Sequence, residues 1–140
     1  MIVLVVGVLV TTSCSTPKES AMHDIRFTTV SGTDESGDIP WLSDNPVRWW
    51  ITDRDGNQVV IVATPCGGFQ AVVKVTDEQI TLDQSKMAVS AIFCEPPHGD
   101  YDRWVHELTE LPLNYVWDEE ALTISNDRGS LTMTPDVNQT

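Results

Sequence analysis

Basic residues are scarce in this sequence, and their scarcity narrows the range of partners. The 140 residues include 8 lysines and arginines against 21 aspartates and glutamates, which gives a formal net charge of −13. The carboxylates are spread along the chain, as on a solvated surface, rather than collected in one tail. Such a charge repels phosphate groups, so nucleic acid and anionic lipid head groups are disfavoured as partners. A weaker alternative is that the acidic surface serves to attract cations or basic polypeptides.

Long apolar runs are also missing, with one short exception at the N-terminus. Residues 2–10 are almost wholly apolar, interrupted by Gly7. A helix of about ten residues spans roughly 15 Å, about half of a bilayer's hydrocarbon core, so the run is too short to be a transmembrane helix. We therefore interpret residues 1–13 as a signal peptide, although no lysine or arginine precedes the apolar run. A short buried strand is the alternative.

Cysteine is rare, since the chain has three. The first, Cys14, directly follows Thr-Thr-Ser and the apolar run. This arrangement resembles the bacterial lipobox, in which the cysteine is acylated and becomes the new N-terminus. Residues 14–24 are then predicted to be the lipidated cysteine and a flexible polar tether. The predicted location is the extracytoplasmic side of a cell membrane, where the lipid anchor holds the chain.

The other two cysteines, Cys66 and Cys94, each follow an apolar stretch and precede a turn. The sequence contains no Cys-x-x-Cys motif, and the thiols of an exported protein tend to oxidise. We predict a structural disulfide between them, which the chain-entropy model values at about 3 kcal/mol. Two free buried thiols and a redox-active pair are the alternatives.

Turn-forming residues divide residues 25–135 into short apolar segments, which predicts strands. From Phe69 to Val75 apolar and polar residues alternate, as in a strand with one buried face. Asp55-Gly56 lies between two β-rich runs and predicts a tight hairpin, because Gly adopts positive φ without a Cβ clash. Ile80 and Leu82 continue the alternating pattern. The other predicted strands cover residues 25–30, 47–52, 59–63, 87–93, 114–117, 121–125 and 131–134, with residues 33–40 as a loop.

One helix interrupts the predicted sheet. Its apolar residues follow the spacing i, i+3, i+4, i+7 and i+10: Tyr101, Trp104, Val105, Leu108 and Leu111. With Asp100 as N-cap, Asp102 near the positive end of the helix dipole and Pro112 as the stop, the helix covers about residues 100–111. The predicted fold is a β-rich α+β domain over residues 25–135, with a curved antiparallel sheet of about seven or eight short strands. Residues 136–140 are predicted to be a disordered tail.

The order of these segments resembles the META domain, an HslJ-like family that is named for a heat-inducible envelope protein. Residues 50–57 (Trp-Ile-Thr-Asp-Arg-Asp-Gly-Asn) resemble the family's strand and turn before its first cysteine. Residues 64–69 (Thr-Pro-Cys-Gly-Gly-Phe) occupy the place of its Gly-Cys-Asn motif, with Pro65 and Gly67 in place of the usual Gly and Asn. Residues 90–94 (Ser-Ala-Ile-Phe-Cys) are similar to its Thr-x-Met-Ala-Cys segment. The resemblance implies a META-like fold and an envelope setting, but no reaction, because the family has no agreed biochemical activity.

Residues that carry chemistry elsewhere do not form a recognisable motif in this chain. The spacing of Cys94, His98 and His106 matches no common zinc motif. Two acidic segments, residues 34–38 and 53–57, are similar to parts of a calcium loop but lack its downstream bidentate glutamate. The sequence has no Gly-x-Ser-x-Gly and no phosphate-binding glycine loop. We therefore predict no catalytic residue, no metal, no cofactor and no enzymatic activity.

Three tryptophans form the candidate partner surface: Trp41, Trp49 and Trp50. Because adjacent strand residues point to opposite faces, Trp49 and Trp50 cannot both enter the core. The alternative is that one fills the interior and the other covers an edge of the sheet. We predict a non-enzymatic, lipid-anchored envelope protein that contributes to envelope maintenance or stress tolerance through contacts with an envelope protein partner. The alternative is an extracytoplasmic binding protein for a small ligand or divalent cation, which would use clustered acidic residues: Asp34, Glu35, Asp38, Asp53 and Asp55.

Overall fold

The fold is taken from a computed structural model of the chain, which describes residues 22–90 and 94–136. The predicted signal peptide, Cys14 and residues 137–140 lie outside the described residues. The elements follow in the order β1 (Phe27–Asp34), β2 (Gly37–Asp38), a 3-10 helix (Pro40–Ser43), β3 (Arg48–Arg54), β4 (Asn57–Ala63), β5 (Phe69–Val75), β6 (Gln79–Val89), α1 (His98–Leu108), β7 (Leu113–Trp117), β8 (Leu122–Asn126) and β9 (Gly129–Pro135).

Eight of these strands close into an antiparallel barrel. The strand order is β1-β3-β4-β5-β6-β7-β8-β9, and β9 pairs back with β1 from Phe27↔Pro135 to Thr33↔Ser130. The two-residue strand β2 pairs only with the end of β1. The predicted β-rich curved antiparallel sheet with one helix is confirmed in outline, and its closure into a barrel is the more specific finding.

Every second side chain of a strand points into the barrel, because successive side chains of a pleated strand point to opposite faces. In β5 the predicted alternation is confirmed, because Phe69, Ala71, Val73 and Val75 are all buried. The largest fully buried side chains come from β1, β3 and β6–β9, from the two helices and from the segment before β1: Trp49, Phe27, Met22, Leu42, Ile51, Ile80, Leu108, Leu113, Leu122, Ile124, Leu131 and Met133.

The chain before β1 belongs to this core. Met22 is 0% exposed, the Asp24 amide donates to the Ile51 carbonyl at 2.8 Å, and His23 forms a bridge with Ile51 in β3. β1 itself pairs with β3 through only two residue pairs, so this segment covers the edge of β3 that β1 leaves open. The prediction of a flexible tether over residues 14–24 is therefore wrong for its last three residues, because the apolar Met22 side chain is taken into the barrel.

The turn predicted between β3 and β4 is confirmed, whereas the loop predicted after residue 32 is partly replaced by strand. Asp55 and Gly56 have φ of 52° and 80°, which is the two-residue turn that the Asp-Gly pair predicted. Residues 33–40 were predicted to be a loop, but β1 continues to Asp34 and then turns into β2. The strand persists because β9 pairs with it, and the Thr33 and Ser130 hydroxyls are hydrogen-bonded at 2.7 Å.

The helix α1 lies close to its predicted place, but it starts two residues earlier and ends three residues earlier. The residue at the N-cap position is Pro97, and Asp100 instead pairs with Arg103 at 3.3 Å, so the prediction of Asp100 as the N-cap is wrong. The helix ends at Leu108, and Leu111 is 39% exposed rather than part of the buried stripe.

Side chains from distant strands satisfy the carbonyl groups at the end of α1. Asn126 Nδ2 donates to the Leu108 carbonyl at 2.8 Å, Gln84 Nε2 donates to the Thr109 carbonyl at 3.1 Å, and Arg128 Nη1 donates to the Glu107 carbonyl. Because the last carbonyls of a helix have no partner within it, these bonds fix where the helix stops and hold it across the barrel end.

The described chain also extends past its predicted end. The Asp136 amide donates to the Arg26 carbonyl at 2.8 Å, and its carboxylate accepts the Thr28 hydroxyl at 2.5 Å. The predicted disordered tail therefore starts after this residue at the earliest. Within residues 22–90 and 94–136, no helix has both the length and the apolar character needed to cross a membrane.

Candidate functional site

The two body cysteines lie where the β4–β5 loop meets the start of α1. The Cys66 and Cys94 sulfurs are 2.09 Å apart and their Cα atoms 5.9 Å apart, which is consistent with the predicted disulfide. Asp102 reinforces the same junction, since its carboxylate accepts the Thr64 hydroxyl at 2.5 Å and the Cys66 amide at 3.0 Å. The sequence indicated a helix-dipole role for Asp102, whereas its structural role is to bind the neighbouring loop.

The residues considered as a zinc set are used separately. The Cys94 sulfur is bonded to Cys66, the His98 ring packs edge-on against Tyr101 at 5.7 Å, and His106 Nε2 lies 3.1 Å from the Met87 sulfur. In the part of the chain that the structure describes, no group of three or more His, Cys, Asp or Glu side chains is placed to hold a metal ion.

The three candidate tryptophans occupy different places. Trp49 is 1% exposed inside the barrel, so its inclusion in the partner surface was wrong. Trp50 is half-buried on the barrel's outer face, with the Arg26 guanidinium 4.8 Å above its ring. Trp41 is half-buried in the 3-10 helix and stacks on Tyr101 of α1, with ring centroids 4.3 Å apart. Trp49 and Trp50 therefore lie on opposite faces of β3, as predicted for adjacent strand residues.

Trp41 belongs to an aromatic cluster at the barrel end that α1 covers, which we call the aromatic end (Trp41, Tyr101 and Trp104). The Trp104 ring meets the Trp41 ring edge-on at 6.1 Å. Beside it opens a cavity of about 510 Å³, whose remaining lining is mainly charged: Asp34, Glu35, Ser36, Glu107, Leu108, Glu110 and Arg128.

The charges of this cavity come from three separate segments of the chain. Arg128 pairs with Glu110 at 2.9 Å, so the cavity keeps a net negative charge from its other carboxylates. Of the acidic residues that the sequence indicated, Asp34 and Glu35 reach this cavity. Asp53 instead lies 3.2 Å from His23 Nε2, at ion-pair distance but without hydrogen-bond geometry. Glu107 and Glu110 were missed, because nothing in a helix sequence shows which loop its polar face will meet.

A second surface lies on the outside of strands β3–β6, and we call it the outer face. The strand register places Trp50 opposite Ile61, Ile61 opposite Gln70, and Gln70 opposite Ala88, so one continuous row crosses four strands. A shallow groove of about 580 Å³ runs along this row, next to the exposed Val89. The sequence indicated only Trp50 here, because the rest of the row depends on pairing register.

Basic residues surround that row. The strand positions that share the outward side of Trp50 include Arg48 and Arg54 in β3, Lys74 in β5 and Lys86 in β6. Arg54 donates to the Gln70 side chain at 2.8 Å, and Lys86 lies with Arg54 beside a smaller cavity at the hairpin end.

Comparisons with known proteins give a fold and no activity. No protein-family model matches the sequence, and no curated protein matches it. One similar solved structure is an NMR structure of a protein from Burkholderia xenovorans, with a TM-score of 0.67 and 10% identity over 99% of this chain and 100% of that one. Another NMR structure gives a TM-score of 0.62 and 16% identity over 86% of this chain and 94% of that one. At such identities the likeness shows the fold alone.

Proposed function

We propose that this chain is a non-enzymatic envelope protein, held on the extracytoplasmic side of a cell membrane by lipid at Cys14. In this proposal it resembles META or HslJ-like proteins and contributes to envelope maintenance or stress tolerance through protein contacts. The short apolar run followed by Thr-Thr-Ser-Cys supports the anchor. The disulfide-distance pair Cys66 and Cys94 supports an oxidising compartment.

The aromatic end is the observation that supports a role in protein contacts. Two tryptophans and a tyrosine meet there, all half-buried, and Trp104 lines an open cavity. Aromatic side chains supply large contact areas at interfaces and are common among the residues that dominate binding energy. A partner protein that inserts a basic side chain into the acidic cavity beside Trp104 would match both its shape and its charge.

Site-specific photo-crosslinking in the native host tests this role. A benzophenone amino acid replaces Trp41, and a matched control carries it at Val116, which is 68% exposed on β7 away from the aromatic end. We expect a discrete protein adduct from position 41 in the membrane fraction and none from position 116. Equal labelling from both positions, or none from position 41, would contradict a protein contact at the aromatic end.

A second candidate function, binding of a small cation, rests on the same cavity. Its carboxylates favour a positive ligand, and the ring of Trp104 favours an organic cation over a bare metal ion. Thermal melts with calcium plus chelator controls, and with a polyamine, test this candidate. A melting shift that Glu107→Gln abolishes and the surface variant Asp77→Asn leaves intact would favour ligand binding over a protein contact.

A further inference from the structure

The charge of this protein is unevenly distributed around the barrel. Four of the 8 basic residues of the sequence stand at outward positions of strands β3–β6: Arg48, Arg54, Lys74 and Lys86. The other outward positions of these strands are uncharged except Asp83, which follows Thr81 by two residues in β6: Trp50, Thr52, Asn57, Val59, Ile61, Ala63, Gln70, Val72, Thr81 and Ala88. A molecule with a net charge of −13 therefore carries one face with a local positive charge.

The acidic residues near this face lie at its rim, except Asp83, which shares the bulge of β6 with Lys86. Asp55 is in the β3–β4 turn, Asp136 binds Thr28 at the β1 border, and Asp83 is held by the Ser85 hydroxyl and amide in the bulge of β6. At physiological salt the field of a charge is screened beyond about 8 Å, so the carboxylates on the far side of the barrel weigh little here. The total charge of the chain is thus a poor guide to what this face attracts.

The centre of the face is apolar and aromatic. Trp50, Ile61 and Ala88 line the groove that crosses the strands, and Val89 is 58% exposed next to it. An indole ring with basic side chains around it is the combination that proteins place at membrane–water interfaces, where the ring sits among head groups and the cations meet phosphates.

The described chain starts next to β3, the strand that carries Trp50. Met22 is fixed in the core and His23 is bridged to Ile51, the residue next to Trp50 in β3. Cys14 precedes Met22 by eight residues, which span at most about 26 Å when fully extended at ~3.3 Å per residue. A lipid at Cys14 would therefore keep Met22, and with it the start of the barrel, within about 26 Å of the bilayer.

We infer that the outer face of strands β3–β6 docks on the anionic phospholipid surface of the membrane that carries the anchor. This inference rests on the proposed lipidation of Cys14. Trp50 and Ile61 enter the head-group region, while Arg48, Arg54, Lys74 and Lys86 contact phosphates. The aromatic end, which lies on α1 and the 3-10 helix rather than on these strands, is left for protein contacts.

The full chain, purified from its native host and mixed with vesicles, provides the test. The vesicles contain brominated phosphatidylcholine with or without phosphatidylglycerol, and bromine quenches tryptophan fluorescence on contact. We expect stronger quenching when phosphatidylglycerol is present, and loss of most of that quenching in Trp50→Phe but not in the control Trp117→Phe. The combined variant Arg48→Gln/Lys74→Gln should lose the phosphatidylglycerol dependence, whereas Arg103→Gln on α1 should keep it.

Flotation of the vesicles separates the two proposals. If the chain does not float with vesicles, the lipid anchor fails and the docking proposal fails with it. If the chain floats but Trp50→Phe and Trp117→Phe are quenched equally, the anchor stands and the docking proposal is overturned. A protein adduct from a photo-crosslinker at position 61, without lipid-dependent quenching, would overturn it in favour of an acidic protein partner. Near-ultraviolet circular dichroism confirms that each variant is folded.

Discussion

Removal of the disulfide should cost a large part of the stability of this domain. Cys66 and Cys94 are 28 positions apart, and closing a loop of that length in the unfolded chain corresponds to about 3.6 kcal/mol at 25 °C in the chain-entropy model. Small domains unfold with a free energy of about 5–15 kcal/mol, so this is a substantial fraction. The bond also joins the β4–β5 loop to the start of α1, so we expect the helix to separate from the barrel more readily without it.

Urea unfolding of the purified chain, followed by tryptophan fluorescence, measures this contribution. We expect Cys66→Ala/Cys94→Ala to unfold with a free energy lower by about 3–4 kcal/mol than the oxidised parent. The parent treated with reductant should approach the double variant, and Cys14→Ser should match the oxidised parent. If the double variant loses less than about 1 kcal/mol of unfolding free energy, or if Cys14→Ser loses as much, the disulfide does not stabilise the fold as proposed.

Three further predictions concern packing, backbone conformation and pH. Trp49→Ala should lower the unfolding free energy by about 3–5 kcal/mol, while Trp50→Ala on the outer face should lower it by less than about 1 kcal/mol; similar losses would contradict their placement on opposite faces. Gly68→Ala should lower the unfolding free energy by more than about 2 kcal/mol, because the φ of Gly68 is +127° and a Cβ there would lie 2.1 Å from a carbonyl oxygen of β4. Gly37 has a φ of +108°, but a Cβ there would meet no atom within 4 Å, so Gly37→Ala should cost less in the same denaturation assay. Backbone hydrogen bonds from the amides of Ala121 and Glu120 hold the pKa of Asp118 below its ordinary value of 3.8. The ionised Asp118 carboxylate therefore stabilises the fold above pH 3.8. This stabilisation is lost as the pH falls through the lower pKa of the folded state. The stability deficit of Asp118→Asn in pH-dependent melts should therefore be present at pH 7 and vanish in acid, and a deficit that persists in acid would contradict this account.

Local features of the fold could be predicted because neighbouring residues determine them. The Asp55-Gly56 turn and the alternation from Phe69 to Val75 need no information from the rest of the chain. Closure of the barrel could not be predicted in the same way, because β1 meets β9 across almost the whole sequence. The burial of Met22 was missed for a related reason, since a single apolar residue in a polar stretch carries no periodic signal.

The candidate surfaces were predictable only in part. Trp41 and Trp50 were selected by residue type, and the structure leaves both half-buried rather than inside the barrel. The residues that surround them were not found, because Glu107 reaches the cavity through helix packing and Lys86 joins the outer face through a bulge in β6. Total charge gave a misleading expectation about anionic surfaces for the same reason: it contains no information on how the strands sort charges between faces.

The intact mass of the protein from membranes of its native host, before and after reduction, tests the central claim most directly. We predict a chain that begins at Cys14, carries acyl groups and gains two hydrogen atoms on reduction, since one disulfide then joins Cys66 to Cys94. A chain that begins at Met1, without acylation and with three free thiols, would contradict the anchor, the export and the disulfide together.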